Sequence, residues 1–170
     1  YGVIRDIGSY IDDVFESGFW GLTVATRSAY ELSWWEGAAD FDNGAVVALA
    51  RRRPDLTCSI IPFALGGRDP EPFIAGLRAR RADAWQTVDL PPITTELAGR
   101  PLLWEARSWV GGYPQHARAA WWRDDTRVLE IVAWSPIRTV VDDALSGLGE
   151  HIRAPVERRE LPTERRMVSD

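Results

Sequence analysis

Between Leu102 and Ile152 the chain alternates apolar and polar residues three times over and then changes to helical spacing. No other stretch limits the fold so tightly. Leu103-Trp104-Glu105-Ala106-Arg107-Ser108-Trp109-Val110 stops at Gly111-Gly112-Tyr113-Pro114; Ala117 to Arg123 follows, then an Asp124-Asp125-Thr126 turn, then Arg127 to Ser135. Period-2 segments joined by Gly, Pro and Asp turns predict an antiparallel meander. Ser135 is then placed to cap a helix with Pro136 at its first position. Ile137, Val140, Val141, Ala144, Leu145, Leu148 and Ile152 supply its apolar stripe.

Upstream, Ile4, Ile7, Ile11, Val14 and Phe15 recur at helical spacing opposite Asp6, Asp12, Asp13 and Glu16. Residues 1–18 are therefore expected to form an N-terminal helical extension ending at Ser17-Gly18. Strands are expected over Trp20–Thr26, Tyr30–Glu36, Ala45–Ala50 and Leu56–Ala64. Asp69 and Pro70 suit a helix start, with Phe73, Ile74, Leu77, Ala84 and Trp85 inward and Arg78, Arg80 and Arg81 outward. Thr87 to Pro92 connects to a strand over Ile93–Ala98 and a Gly99-Arg100-Pro101 turn. From Arg153 to Asp170 the composition is that of a polar tail. Grouped elements with hairpin turns, rather than βαβ alternation, give an α+β fold over residues 19–152: a central antiparallel β-sheet with helices packed on it.

The 170 residues suit one domain, and an apolar content of 45% is enough for one core. All twenty basic residues are Arg, which pairs bidentately with carboxylates and stacks on aromatic rings. A net charge of −5 argues against nucleic acid, which needs a basic face. Cys58 is alone, so no internal disulfide or four-thiolate zinc site can form; on an apolar strand it is expected to be a small buried residue. No apolar run has the length of a membrane span, and no signal peptide is visible. The sequence opens at Tyr1 rather than Met, so compartment stays open, with the cytoplasm slightly favoured.

The order of elements carries a resemblance. Trp20-Gly21-Leu22-Thr23-Val24 is an opening strand. Ser59-Ile60-Ile61-Pro62-Phe63 leads to a helix at Asp69-Pro70, and Ile93-Thr94-Thr95-Glu96-Leu97-Ala98-Gly99-Arg100-Pro101 brings a strand to a turn before the meander and the last helix. From about Phe19 to Ile152 this resembles the PsbP-like superfamily, which includes the photosystem II extrinsic subunit PsbP, a Ran-binding nuclear import factor, the bacterial DcrB-type proteins and mycobacterial lipoproteins. The resemblance implies an α/β/α sandwich and a non-enzymatic binder, whether assembly factor, adaptor or chaperone of apolar helices. It brings no shared catalytic motif. The helix before Gly18, the tail after Arg153 and the density of tryptophan fall outside the pattern.

Motifs for chemistry are few. Leu65-Gly66-Gly67-Arg68 lacks the spacing of a phosphate cradle, and Ala144-Leu145-Ser146-Gly147 is not a nucleophile elbow. Asp40-Phe41-Asp42-Asn43-Gly44 starts like a calcium loop, but Ala45 and Arg51 stand where an EF-hand has Gly and Glu, so a turn is expected. His116 follows the Gly-Tyr-Pro turn and is expected to be exposed, with a general-base role beside Glu105 or Cys58 as the alternative. His151 is placed to close a helix. No cofactor or metal is implied.

What remains is the aromatic surface. On Leu103 to Val110 one face carries Leu103, Glu105, Arg107 and Trp109, and the other Trp104, Ala106, Ser108 and Val110. Each of the doublets Trp34-Trp35 and Trp121-Trp122 must put one indole on each side of the sheet. The candidate binding residues are Trp35, Trp104, Arg107, Trp109, Arg118, Trp122 and Arg123, on a face for a protein partner or an apolar peptide or helix, in a homo-oligomer or larger complex. The same indoles are core and helix-packing residues if helices cover both faces, the reading that burial favours. A different class of reading is a small-molecule carrier or enzyme with a pocket between sheet and helix.

Overall fold

The period-2 stretches do become strands. A computed structural model describes residues 9–11, 14–17, 22–25, 31–35, 46–52, 54–82 and 84–153; for residues 9–11, 17, 31–35, 46, 81 and 153 it describes the backbone alone. In chain order the elements are β1 (Ser9–Ile11), β2 (Val14–Ser17), β3 (Leu22–Ala25), β4 (Glu31–Trp35), β5 (Val46–Arg52), β6 (Asp55–Ala64), α1 (Pro70–Arg81), β7 (Trp85–Thr87), β8 (Ile93–Leu97), β9 (Arg100–Trp109), β10 (His116–Arg123), β11 (Arg127–Ser135), α2 (Arg138–Leu148) and β12 (Ile152–Arg153). The fold is α+β. A large antiparallel sheet runs β4-β5-β6-β11-β10-β9-β7, with β8 paired to β9, and a smaller sheet runs β1-β2-β3-β12.

Register places the faces. Ile60 pairs with both Val47 and Ile131, while Ile61 pairs with Glu130 and Glu130 with Trp121. Alternation therefore puts Cys58, Ile60, Leu129, Ile131, Ala120, Trp122, Leu102 and Trp104 in one buried cluster. Phe15, Leu22, Val24 and Ile152 of the small sheet join it, as do Val141, Leu145 and Leu148 of α2. The opposite parity is split. Ile61, Phe63 and Val128 pack with Ile74 and Leu77 of α1, whereas Ala117, Ala119 and Val132 pack with Trp85.

β11 lies mid-sheet, and its polar members are paired as burial demands. Arg127 Nε donates to Asp124 at 3.0 Å, and Glu130 accepts from the Trp121 indole N–H at 3.0 Å. The sharpest turn joins β8 to β9. Ala98 and Gly99 have φ of 55° and 75°, the type I′ geometry that a two-residue hairpin favours. Arg100 and Pro101 are thus strand residues, not part of the turn. Pro101 pairs with Glu96, next to the closing Leu97–Arg100 pair, where the alternating ladder does not call on its missing N–H.

Four sequence expectations change. The expected N-terminal helix is not seen where the structure describes it: Ser9–Ile11 and Val14–Ser17 form an antiparallel pair, with Phe15 opposite Val24 in the next strand, and the rest of residues 1–18 lies outside the described residues. α1 begins as expected, the Asp69 side chain accepting from the Glu71 N–H at 3.2 Å, but it ends at Arg81, so Trp85 opens a strand rather than closing a helix stripe. Ser135 ends β11, and its hydroxyl accepts from the Ile137 N–H at 3.2 Å; Ile137 is the cap residue and offers no side-chain bond. α2 stops at Leu148, and Ile152 pairs with Val24 instead. The expected turn over 40–44 and the tail beyond Arg153 lie outside the described residues.

Candidate functional site

Three of the seven sequence-derived binding residues are core. Trp104 and Trp122 are 1% and 2% exposed, and their indole N–H groups donate to Thr95 Oγ1 at 2.8 Å and to the Leu97 carbonyl at 3.1 Å. Arg118, on the same face and 4% exposed, makes a fork with Asp142 of α2 at 2.9 and 3.4 Å. Its Nη1 donates to the carbonyls of Pro91 and Trp104. These groups are consumed in holding β10, β9, α2 and the 88–92 connector together, so a partner cannot reach them.

Arg107, Trp109 and Arg123 lie on the other side or at its edge. Arg107 is buried and donates to Glu105 at 2.9 Å, Glu105 in turn pairing with Arg78 of α1 at 3.0 Å. Arg123 is exposed and pairs with Glu71 at 3.3 Å. Trp35 pairs with Val46 in the β4–β5 register, and its side chain lies outside the described residues.

Trp109 belongs to a pocket of about 250 Å³ with Trp85, Trp134, Tyr113, Gln115, Ser59 and Val132. Trp85 and Trp109 face each other as the first pair of β7 and β9, their rings 5.1 Å apart at 64°; Trp134 stands 6.2 Å from Trp85 at 50°. The floor is small because Ser59 pairs with Val132 and Val132 with Ala119, one row of short side chains across three strands. The rim comes from the turn between β9 and β10, where the Trp109 N–H donates to the Gln115 carbonyl at 2.9 Å. Gly111 lies against the Trp109 indole, and a β-carbon there would collide with the ring nitrogen.

Two features mark this pocket as unfinished. Trp109, Val110 and Tyr113 are exposed, Tyr113 by 64%. Gln115 Oε1, in the pocket wall, is a buried acceptor with no hydrogen-bond partner among the described residues. An orphaned buried acceptor destabilises by about 1–3 kcal/mol. The sequence reading missed Trp85, Trp134 and Gln115. Trp134 was legible in principle, since it alternates with Val132 and Glu130; Trp85 was hidden by a helix-like spacing.

Reaction chemistry finds little footing. The thiol of Cys58 is fully buried and pushed up to about 12 by desolvation, far from a reactive thiolate. Burial raises Asp124, yet hydrogen bonds from Thr126 and Arg127 together with the Arg127 charge prevail and hold its carboxyl below the ordinary value. His116 faces Arg138 at 3.2 Å, and His151 Nδ1 lies 3.0 Å from the Ala25 carbonyl. No cluster of His, Cys, Asp or Glu among the described residues could hold a metal ion, and no described helix is long and apolar enough to cross a membrane. No protein-family model matches the chain, nor does any curated protein.

Proposed function

We propose that the chain is a non-enzymatic binding domain that captures one aromatic or apolar side chain of a protein partner, within a larger assembly. The half-open pocket walled by Trp85, Trp109 and Trp134 carries this reading. Three indoles suit an occupant that is flat or apolar, as the side chain of an anchor residue is. A volume of about 250 Å³ fits that occupant better than the ~300–1,000 Å³ of small-molecule sites. The exposed Tyr113 in the pocket lining provides the surround that keeps water from a buried anchor. The PsbP-like resemblance points the same way, and with it an α/β/α sandwich, supported by the clusters in which α1 and α2 take part on opposite sheet faces.

Peptide display on the full chain tests the proposal. Selected peptides should carry a central aromatic or large apolar residue. Trp109→Ala and Tyr113→Ala should each weaken a selected peptide, Trp109→Ala by roughly thirtyfold, as expected of an anchor contact near 2 kcal/mol. Selection of peptides without such an anchor, or equal binding by both variants, would refute it.

A further inference from the structure

We infer that the cleft between α1 and the β9–β10 strands is a second, separate site, which takes a small organic anion by its carboxylate or phosphate head. The cleft holds about 380 Å³, inside the ~300–1,000 Å³ range of small-ligand sites. Arg78 comes from α1, Arg100 from the start of β9 and Arg123 from the end of β10, so three elements bring three guanidinium groups to one cavity. One carboxylate, Glu71, stands among the lining residues.

Each guanidinium has a partner yet keeps donors to spare. Arg78 pairs with Glu105 at 3.0 Å and lies 4.8 Å over the Trp121 ring, and its Nε is buried with no hydrogen-bond partner among the described residues. Arg100 donates Nη1 to the Arg123 carbonyl at 2.7 Å and sits 5.7 Å from the Trp122 ring. Arg123 uses Nη2 on Glu71 at 3.3 Å, an exposed and replaceable partner. A guanidinium carries five N–H donors, so the forks of Arg78 and Arg100, each held beside a ring and by a single bond, are pre-organised for an oxyanion, and Arg123 can exchange Glu71 for one.

The chain as a whole is acidic, at −5, so long-range attraction does not draw anions in; the head must be held by contact. That favours a small ligand over a polyanion. Half-exposed Leu103 and neighbouring Pro101 line the cleft and give an apolar body somewhere to lie.

The experiment follows arginine Nε–H resonances of the full chain during titration with phenyl phosphate, benzoate and inorganic phosphate at low ionic strength. Saturable shifts at Arg78 with phenyl phosphate or benzoate are expected, the stronger of the two naming the head group. Arg100→Gln and Arg123→Gln should each weaken binding by about tenfold with folding intact, in keeping with a charge-assisted hydrogen bond. Glu71→Gln, which removes a competing carboxylate, should tighten it by about threefold, a change no loss of structure would produce. No saturable shift with any probe would overturn the inference. So would binding that survives the double Arg100→Gln, Arg123→Gln change, or inorganic phosphate binding as tightly as phenyl phosphate. Peptide capture at the aromatic pocket should not respond to these variants, so the two sites succeed or fail independently.

Discussion

Arg118 and Arg107 stand on neighbouring strands, on opposite faces, and meet different ends. Both are nearly sealed from water, but Arg118 satisfies its fork on Asp142 and two carbonyls, whereas Arg107 has one bond to Glu105 and a buried Nε without a partner among the described residues. Removing one member of a buried pair strands the other's charge, so Asp142→Ala should destabilise the protein by about 3 kcal/mol in urea denaturation. A double Arg118→Met, Asp142→Leu change, which leaves no stranded charge, should recover most of that loss. An additive double mutant would show that the pair is not coupled. At this scale the sequence was informative but incomplete. Adjacent Trp121 and Trp122 had to point to opposite faces, and they do. Which of them would be buried was beyond it, because alternation gives parity and not environment.

Among the elements, those with strictly local causes were legible. α1 follows from Asp69 and Pro70, and the β9–β10–β11 meander from its period-2 pattern. Ala98 shows a local feature that sequence reading passed over: an alanine held at a φ of 55° before Gly99 in a type I′ turn. A left-handed alanine is strained by about 1–2 kcal/mol, and Asn tolerates that region better. Ala98→Asn should therefore raise stability by up to ~1 kcal/mol in chemical denaturation, with the β8–β9 register unchanged. A lower midpoint would mean that the turn is not the source of strain. The expectation of an N-terminal helix over residues 1–18 failed at Ser9–Ile11 and Val14–Ser17 for a physical reason. Ile11, Val14 and Phe15 fit a helical stripe, and they fit equally well two short strands that reverse between Ile11 and Val14; pairing with β3 supplied the deciding bonds. Ile152 is the same case, spaced for α2 but drawn into pairing with Val24.

For the molecule as a whole, coverage of the sheet decides which side chains stay accessible. One face is closed by α2 and the small sheet, whose Phe15 is wholly buried among the residues of β5, β6, β10 and β11. Phe15→Ala should thus cost about 3–4 kcal/mol and lower one cooperative transition followed by both near- and far-ultraviolet circular dichroism. Separate transitions would show that the N-terminal strands are a unit of their own. On the other face α1 packs against Ile61, Phe63, Val128 and Trp121, and the far end is left to the aromatic pocket. The strands and turns of the β9–β10–β11 meander, the opposed indoles of Trp121 and Trp122 and the absence of a familiar catalytic motif came from the order of residues alone, since each depends on neighbours a few positions apart. The choice of which parity lies inside, the loss of Trp104, Trp122 and Arg118 to the core, and the meeting of Trp85, Trp109, Trp134 and Gln115 belong to the tertiary structure. Burial is set by what distant segments lay over a strand, and no local pattern contains that.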